Sequence, residues 1–203
     1  MERRAQKQLQ LRLGRAAFRS DKTLESFDFN PAINRALVFD LATCLYIQRH
    51  HNVLICGPTG VGKCHLSQAL GHEACRRGYD VLFISAAKLL QHLNGGRADG
   101  TYDRRLQTYL RPDLLIVDDF GLKPLRSPNA EDWFDVIAER YERASMIVSS
   151  NRALSEWPDI FGNPLLASAG LDRLFDQAHS MTISGDGHRA RSRQLLTISV
   201  KEP

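Results

Sequence analysis

The chain has 203 residues, 43% hydrophobic and 25% charged, enough for one domain with a well-buried core. No run of about 18 apolar residues occurs, which excludes a membrane-spanning helix. The basic start "MERRAQKQLQLRLGRAAFR" lacks the apolar stretch and cleavage site of a secretory leader, and a cytoplasmic location is expected.

Residues 1–22 carry seven basic side chains, Arg3, Arg4, Lys7, Arg12, Arg15, Arg19 and Lys22, against Glu2 and Asp21. That is a net charge of +5 within a chain of formal net charge +4, so the remainder sums to −1. A short basic helical arm on a near-neutral domain points to a polyanion, most simply nucleic acid, with Arg3, Arg4, Lys7, Arg12, Arg15 and Arg19 as the DNA-facing candidates. "TLESFDFNP" reads as a linker, and Pro31 to Arg49 as a helix leading into the first strand. Four cysteines, Cys44, Cys56, Cys64 and Cys75, show no C-x-x-C pair and no spacing typical of a zinc site. They read as reduced cytosolic thiols.

From residue 52 onward, short apolar runs alternate with segments of helical period. "NVLIC" (52–56), "DVLFIS" (80–85), "DLLIVDD" (113–119), "SMIVSS" (145–150) and "SMTIS" (180–184) read as strands. Helical patterns cover 62–77, 85–93, 101–110, 129–143 and 163–178, and "GGRADG" (95–100) reads as a loop. Continuous apolar strands alternating with helices predict an α/β fold, a mainly parallel five-stranded sheet with helices on both faces. The expected division is a basic arm over 1–22, the alternating α/β domain over 23–190 and a tail over 191–203. The tail holds part of a second basic cluster, "HRARSR" at 188–193, and "LLTISVKEP" as a last edge strand or a frayed end.

The stretch "GPTGVGKCHL" follows the first strand and opens a helix. It matches the phosphate-binding pattern G-x-x-x-x-G-K, with Cys64 where Ser or Thr is usual. Glycines let backbone N–H groups turn around phosphate oxygens, and the helix N-terminus adds a favourable dipole. Gly57, Pro58, Thr59, Gly60, Val61, Gly62, Lys63, Cys64 and His65 are therefore the nucleotide-facing stretch, with Lys63 as the point charge on the β- and γ-phosphates. In "LLIVDD", four apolar residues end in two carboxylates at the mouth of a strand. Mg²⁺ takes hard oxygen ligands, so Asp118 is the metal-holding candidate and Asp119 the residue that polarises the attacking water. Asn151, just past "SMIVSS", is placed to orient that water or touch the γ-phosphate. No guanine-reading N-K-x-D motif and no "SGG" signature occurs, which leaves an ATPase as the better reading. A thiol is larger and softer than a hydroxyl, so Cys64 is a weak metal ligand at best and slow hydrolysis is expected.

Several separated motifs occur in order: "RPDLLIVDDFGLKPL", "AERYERASMIVSSNRALSEWPDIF", "LDRLFDQAH" and "GDGHR". With "TLESFDF" and the phosphate loop, they resemble the IstB-type transposition helper ATPases of bacterial insertion sequences, AAA+ proteins related to the helicase loader DnaC. The resemblance covers roughly residues 15–190 and implies a P-loop NTPase domain that takes ATP and Mg²⁺. It also implies assembly into a homo-oligomer on duplex DNA and assistance to a partner transposase. Residue by residue, it supports Lys63, Asp118, Asp119 and Asn151 in the roles above. It adds Arg173 of "LDRL" as an arginine finger reaching a neighbouring subunit, and Arg189 of "GHR" as a residue near the nucleotide. Relatives of this kind normally carry more chain before the arm, so the N-terminus reads as shortened. Two other functions stay open at this point: a loader acting on single-stranded DNA and a helicase, and an ATP-binding DNA scaffold that scarcely hydrolyses because of Cys64.

Overall fold

A computed structural model describes residues 2–185 other than 30 and 32. Five strands, β1 (Val53–Cys56), β2 (Val81–Ser85), β3 (Leu114–Phe120), β4 (Ser145–Ser150) and β5 (His179–Thr182), form one sheet in the order β2-β3-β4-β1-β5. Every neighbouring pair is parallel. Alternate residues of each strand enter separate cores, as the twofold period of a strand requires. Val53, Ile55, Phe83, Leu114, Ile116 and Ile147 pack on one face, beneath α1 (Glu2–Ala16), α2 (Arg35–Ala42), α3 (Leu45–Gln48) and α4 (Lys63–Arg76). Leu54, Cys56, Leu115, Val117, Met146 and Val148 pack on the other. That face is covered by α5 (Ala86–Asp99), α6 (Tyr102–Leu110), α7 (Asn129–Arg140), α8 (Trp157–Phe161) and α9 (Pro164–Phe175).

Three segments differ from the sequence expectation. "GGRADG" is not a loop: Gly95 and Gly96 continue α5 to Asp99, and Gly100 at φ 72° ends it in the left-handed region. The glycines admit α6 at close range, since a Cβ on Gly96 would meet the Tyr102 Cα at 2.9 Å. The helix foreseen over 31–49 starts only after Asn34, whose side chain caps the Leu37 amide at 3.1 Å, and it breaks at Cys44 (φ 64°) into α2 and α3. No sequence period marks the short α8; Trp157 and Phe161 drive it by burying against Phe120, with Ile160 in the same core. The helical period of 163–178 resolves as α9, capped by the Asn163 side chain on the amides of Leu165 and Leu166.

The second core closes around a buried cation, the guanidinium of Arg140 at the end of α7. It donates to the carbonyls of Tyr109, Leu110, Pro112, Asp113 and Ser145 at 2.6–3.4 Å, tying the turn before β3 to the start of β4. Burial pushes its pKa down to about 10. The basic arm is not detached: α1 lies on α4 and β2, with Ala16 fully buried and Arg12 paired with Asp80 at 3.9 Å. Arg3, Arg4, Lys7 and Arg15 face solvent. Among the described residues no helix is long and apolar enough to cross a membrane. Arg189, the 188–193 basic cluster and the segment "LLTISVKEP" lie outside the described residues.

Candidate functional site

A parallel sheet gathers the C-terminal ends of its strands on one edge, and ligands of such sheets sit there. Here the ends of β1, β3 and β4 surround a cavity of about 540 Å³. Its walls are Arg19, Lys22, Thr59, Gly60, Gly62, Lys63, Cys64, His65, Asp118, Asp119 and Asn151. The loop of the first motif and the acids of the second thus meet in space although 55 residues separate Lys63 from Asp118.

The loop takes its shape from glycine. Gly57, Gly60 and Gly62 have φ of 148°, 90° and 102°. At Gly57 a Cβ would also meet the Ile183 carbonyl oxygen at 2.2 Å, because the chain leaving β5 crosses directly over the loop. Gly62 is the N-cap of α4, and Phe27 of the linker packs against it. Phe27 is buried and meets Phe29 edge-on, so it is a core anchor. His65 bonds the Thr23 carbonyl (3.1 Å) and the Ser26 hydroxyl (3.3 Å), joining the linker to the first turn of α4.

Lys63 is 6% exposed. Its ammonium donates to the carbonyls of Gly57 (2.7 Å) and Pro58 (2.8 Å) and to Asn151 Oδ1 (2.5 Å). Burial lowers its pKa, while the Asp119 and Asp118 carboxylates pull it back up. Asn151 is therefore already coupled to the loop lysine. Asp118 is buried; one oxygen accepts the Ser149 hydroxyl, and the other, Oδ2, has no hydrogen bond. Asp119 sits at φ 59°, an uncommon backbone for a non-glycine residue of the kind found at active sites, with its amide donating to Ser149 Oγ at 3.2 Å. Ser149, which the sequence does not single out, thus holds the carboxylate of Asp118 and the backbone of Asp119. A polar residue inside the apolar run "SMIVSS" was its only signal.

Cys64 points into the same cavity. Burial and the nearby Asp118 charge raise its pKa, so the group is a neutral thiol at neutral pH and not a thiolate. The Gln68 side-chain amide donates to its sulfur and to its carbonyl, both at 3.1 Å. The open oxygen of Asp118 suits a hard cation; the thiol does not.

Arg173 stands apart from this cavity. It lies on α9, bonds the Ala169 carbonyl at 2.7 Å and covers Phe134, beside Tyr141 and Asp176 on an open face. Of the arm residues, Arg19 is at the nucleotide-site mouth, 3.7 Å from Asp118. On α5 and α6, Arg97 is held by Asp132 and Arg105 by Asp99, whereas Lys88 and Arg104 face solvent.

The fold is also that of known nucleotide-binding domains. It superposes on AMPPCP-bound DnaA from Aquifex aeolicus with a TM-score of 0.70 and 26% identity over 84% of this chain, which spans about half (52%) of that DnaA. It superposes on the DnaC helicase loader with a TM-score of 0.67, covering 80% of this chain and 96% of that one at 20% identity, a likeness of fold alone. This is the AAA+ P-loop architecture. A protein of Mycobacterium tuberculosis, named for ATP binding and found in an insertion sequence, is 38% identical over 200 residues, 97% of this chain and 80% of its own length. The model of the IstB-like ATP binding protein family matches residues 1–195. With phosphate loop, paired acids and polar strand end assembled in one cavity, the chain belongs to the IstB-like ATP-binding protein family.

Proposed function

We propose that the protein is a cytoplasmic ATPase that binds duplex DNA and assists or recruits a transposase, acting as an ATP-dependent homo-oligomer. The observation that carries this reading is the single cavity in which the Lys63 ammonium, the loop amides and the Asp118–Asp119 pair face one another. In this reading Gly57 to Cys64 wrap the phosphates, and the Lys63 ammonium exchanges its loop carbonyls for phosphate oxygens. That exchange frees Asn151, which then reports the terminal phosphate or orients water. Asp118 would hold Mg²⁺ through its open oxygen, and the metal would supply charge neutralisation to the triphosphate. Asp119 polarises the attacking water. Arg173, on an open face, serves a neighbouring subunit, and Arg189 completes the nucleotide shell. Arg3, Arg4, Lys7 and Arg15 hold DNA phosphates without reading sequence, the arm of residues 1–22 serving the domain over 23–190.

Filter binding of labelled duplex across a salt series tests the reading. ATP-dependent retention is expected, weakening with salt at a slope of roughly −0.9 for each phosphate contacted. Absence of ATP-dependent retention at low salt overturns it. The thiol favours a second reading, a DNA scaffold with little hydrolysis. Cys64→Thr separates the two: restoring a hard oxygen ligand is expected to raise steady-state phosphate release by about tenfold with ATP affinity little changed. Equal turnover in both proteins would mean that Asp118 and water already hold the metal.

A further inference from the structure

The arm ends at the nucleotide cavity, and its last basic residues are built into it. α1 ends at Ala16, and Ala17, at φ 56°, turns the chain inward. Phe18 then stacks on His72 at 4.4 Å and lies 6.3 Å from Phe83. Gly71 makes room for it, since a Cβ there would meet the Phe18 ring at 2.8 Å. The next amide, that of Arg19, donates to Gln68 Oε1 at 2.9 Å. Gln68 is the same residue that holds the Cys64 sulfur and carbonyl. The backbone of Arg19 is thereby fixed to the first turns of α4.

Its side chain is not committed in the same way. The guanidinium leans over Phe83 at 5.5 Å and stands 3.7 Å from Asp118 Oδ2, half exposed. That is beyond hydrogen-bond distance, and an ion pair of this exposure is worth little by itself. A planar guanidinium pairs far better with phosphate, which it grips through two parallel N–H donors. Lys22, whose ammonium lies 3.8 Å from the Cys64 sulfur, lines the cavity from the same side. Arg19, Lys22 and Lys63 thus face Asp118 and Asp119, an excess of one positive charge in the cavity wall before any metal enters. The excess stands where Cys64 has replaced the hydroxyl that would help hold Mg²⁺.

We propose that Arg19 is a phosphate ligand of this site supplied by the chain's own arm, and that it lets the loop hold ATP with little dependence on Mg²⁺. The inference rests on the nucleotide reading above and assigns Arg19 to the triphosphate instead of to DNA. It also makes nucleotide binding and the position of α1 parts of one contact, through the bond from Arg19 to Gln68.

Calorimetric titration of ATP into the full chain, once with Mg²⁺ and once with EDTA, tests it. Wild type is expected to keep its affinity within about fivefold when the metal is removed. Arg19→Gln should lose about tenfold in EDTA and less with Mg²⁺, and Arg19→Lys should recover part of that loss, as expected for one charge-assisted bond. Thermal melts of all three proteins should coincide, because the Gln68 contact uses the Arg19 backbone. Unchanged ATP affinity of Arg19→Gln in EDTA overturns the inference alone, as does a wild type that binds ATP only with Mg²⁺. Loss of nucleotide-free duplex affinity with ATP affinity intact also overturns it, returning Arg19 to the DNA arm. No ATP binding by wild type in either medium overturns the nucleotide reading and this inference together.

Discussion

Lys63→Ala is expected to weaken ATP binding by about 100-fold, the loss of two charge-assisted bonds to phosphate at roughly tenfold each. The side chain is buried and its three hydrogen bonds go to Gly57, Pro58 and Asn151, all in the cavity wall. Nothing else in the loop delivers a full charge to the same point. Lys63→Arg should fail to restore binding, since the planar fork needs more room than an ammonium enclosed by two carbonyls and an amide offers. Far-ultraviolet circular dichroism should show both variants folded, and fluorescent-nucleotide titration would measure the loss. Retention of affinity within about threefold would exclude this cavity as the triphosphate site.

Arg140→Met is expected to cost about 3–5 kcal/mol in denaturant unfolding, because several buried carbonyls lose their donor at about 1–3 kcal/mol each. Five carbonyls converge on this guanidinium from the α6–β3 turn and the start of β4. Methionine fills much of the volume but donates nothing, so buried carbonyls would be left bare. The effect belongs to folding and not to the nucleotide cavity at the opposite strand ends. ATP affinity per folded molecule should therefore be unchanged. A loss below about 1 kcal/mol would mean that water replaces the donors.

The parallel sheet was legible because its strands are unbroken apolar runs, and burial on both faces demands such runs. The phosphate loop and acids were legible for another reason: their chemistry needs fixed residue types beside strand ends. What escaped reading depends on contacts between distant segments. Gly95 and Gly96 look like a loop until α6 is brought against them. The Cys44 break carries no local breaker, and Trp157 forms a helix only because Phe120 gives it a face to bury. At the site, Ser149 and Gln68 have side chains too ordinary to attract notice. Their partners, Asp118 and Arg19, lie 31 and 49 residues away. Charge counts carry no direction, so by sequence Arg19 falls with the arm.

β4 lies between the strands that carry the two motifs, and this has a consequence for how the site keeps its dimensions. Ser149 grips the carboxylate of β3, and Asn151, two residues on, grips the ammonium of the loop after β1. Before nucleotide enters, the acid and the base are thus held from two anchor residues a pair of peptide steps apart, a Cα spacing of roughly 6.6 Å in extended chain. Backbone pitch is not adjustable by side-chain substitution. Changes in the surrounding loops would alter who enters the cavity and how fast, while the spacing of the two anchors on β4 stays the same.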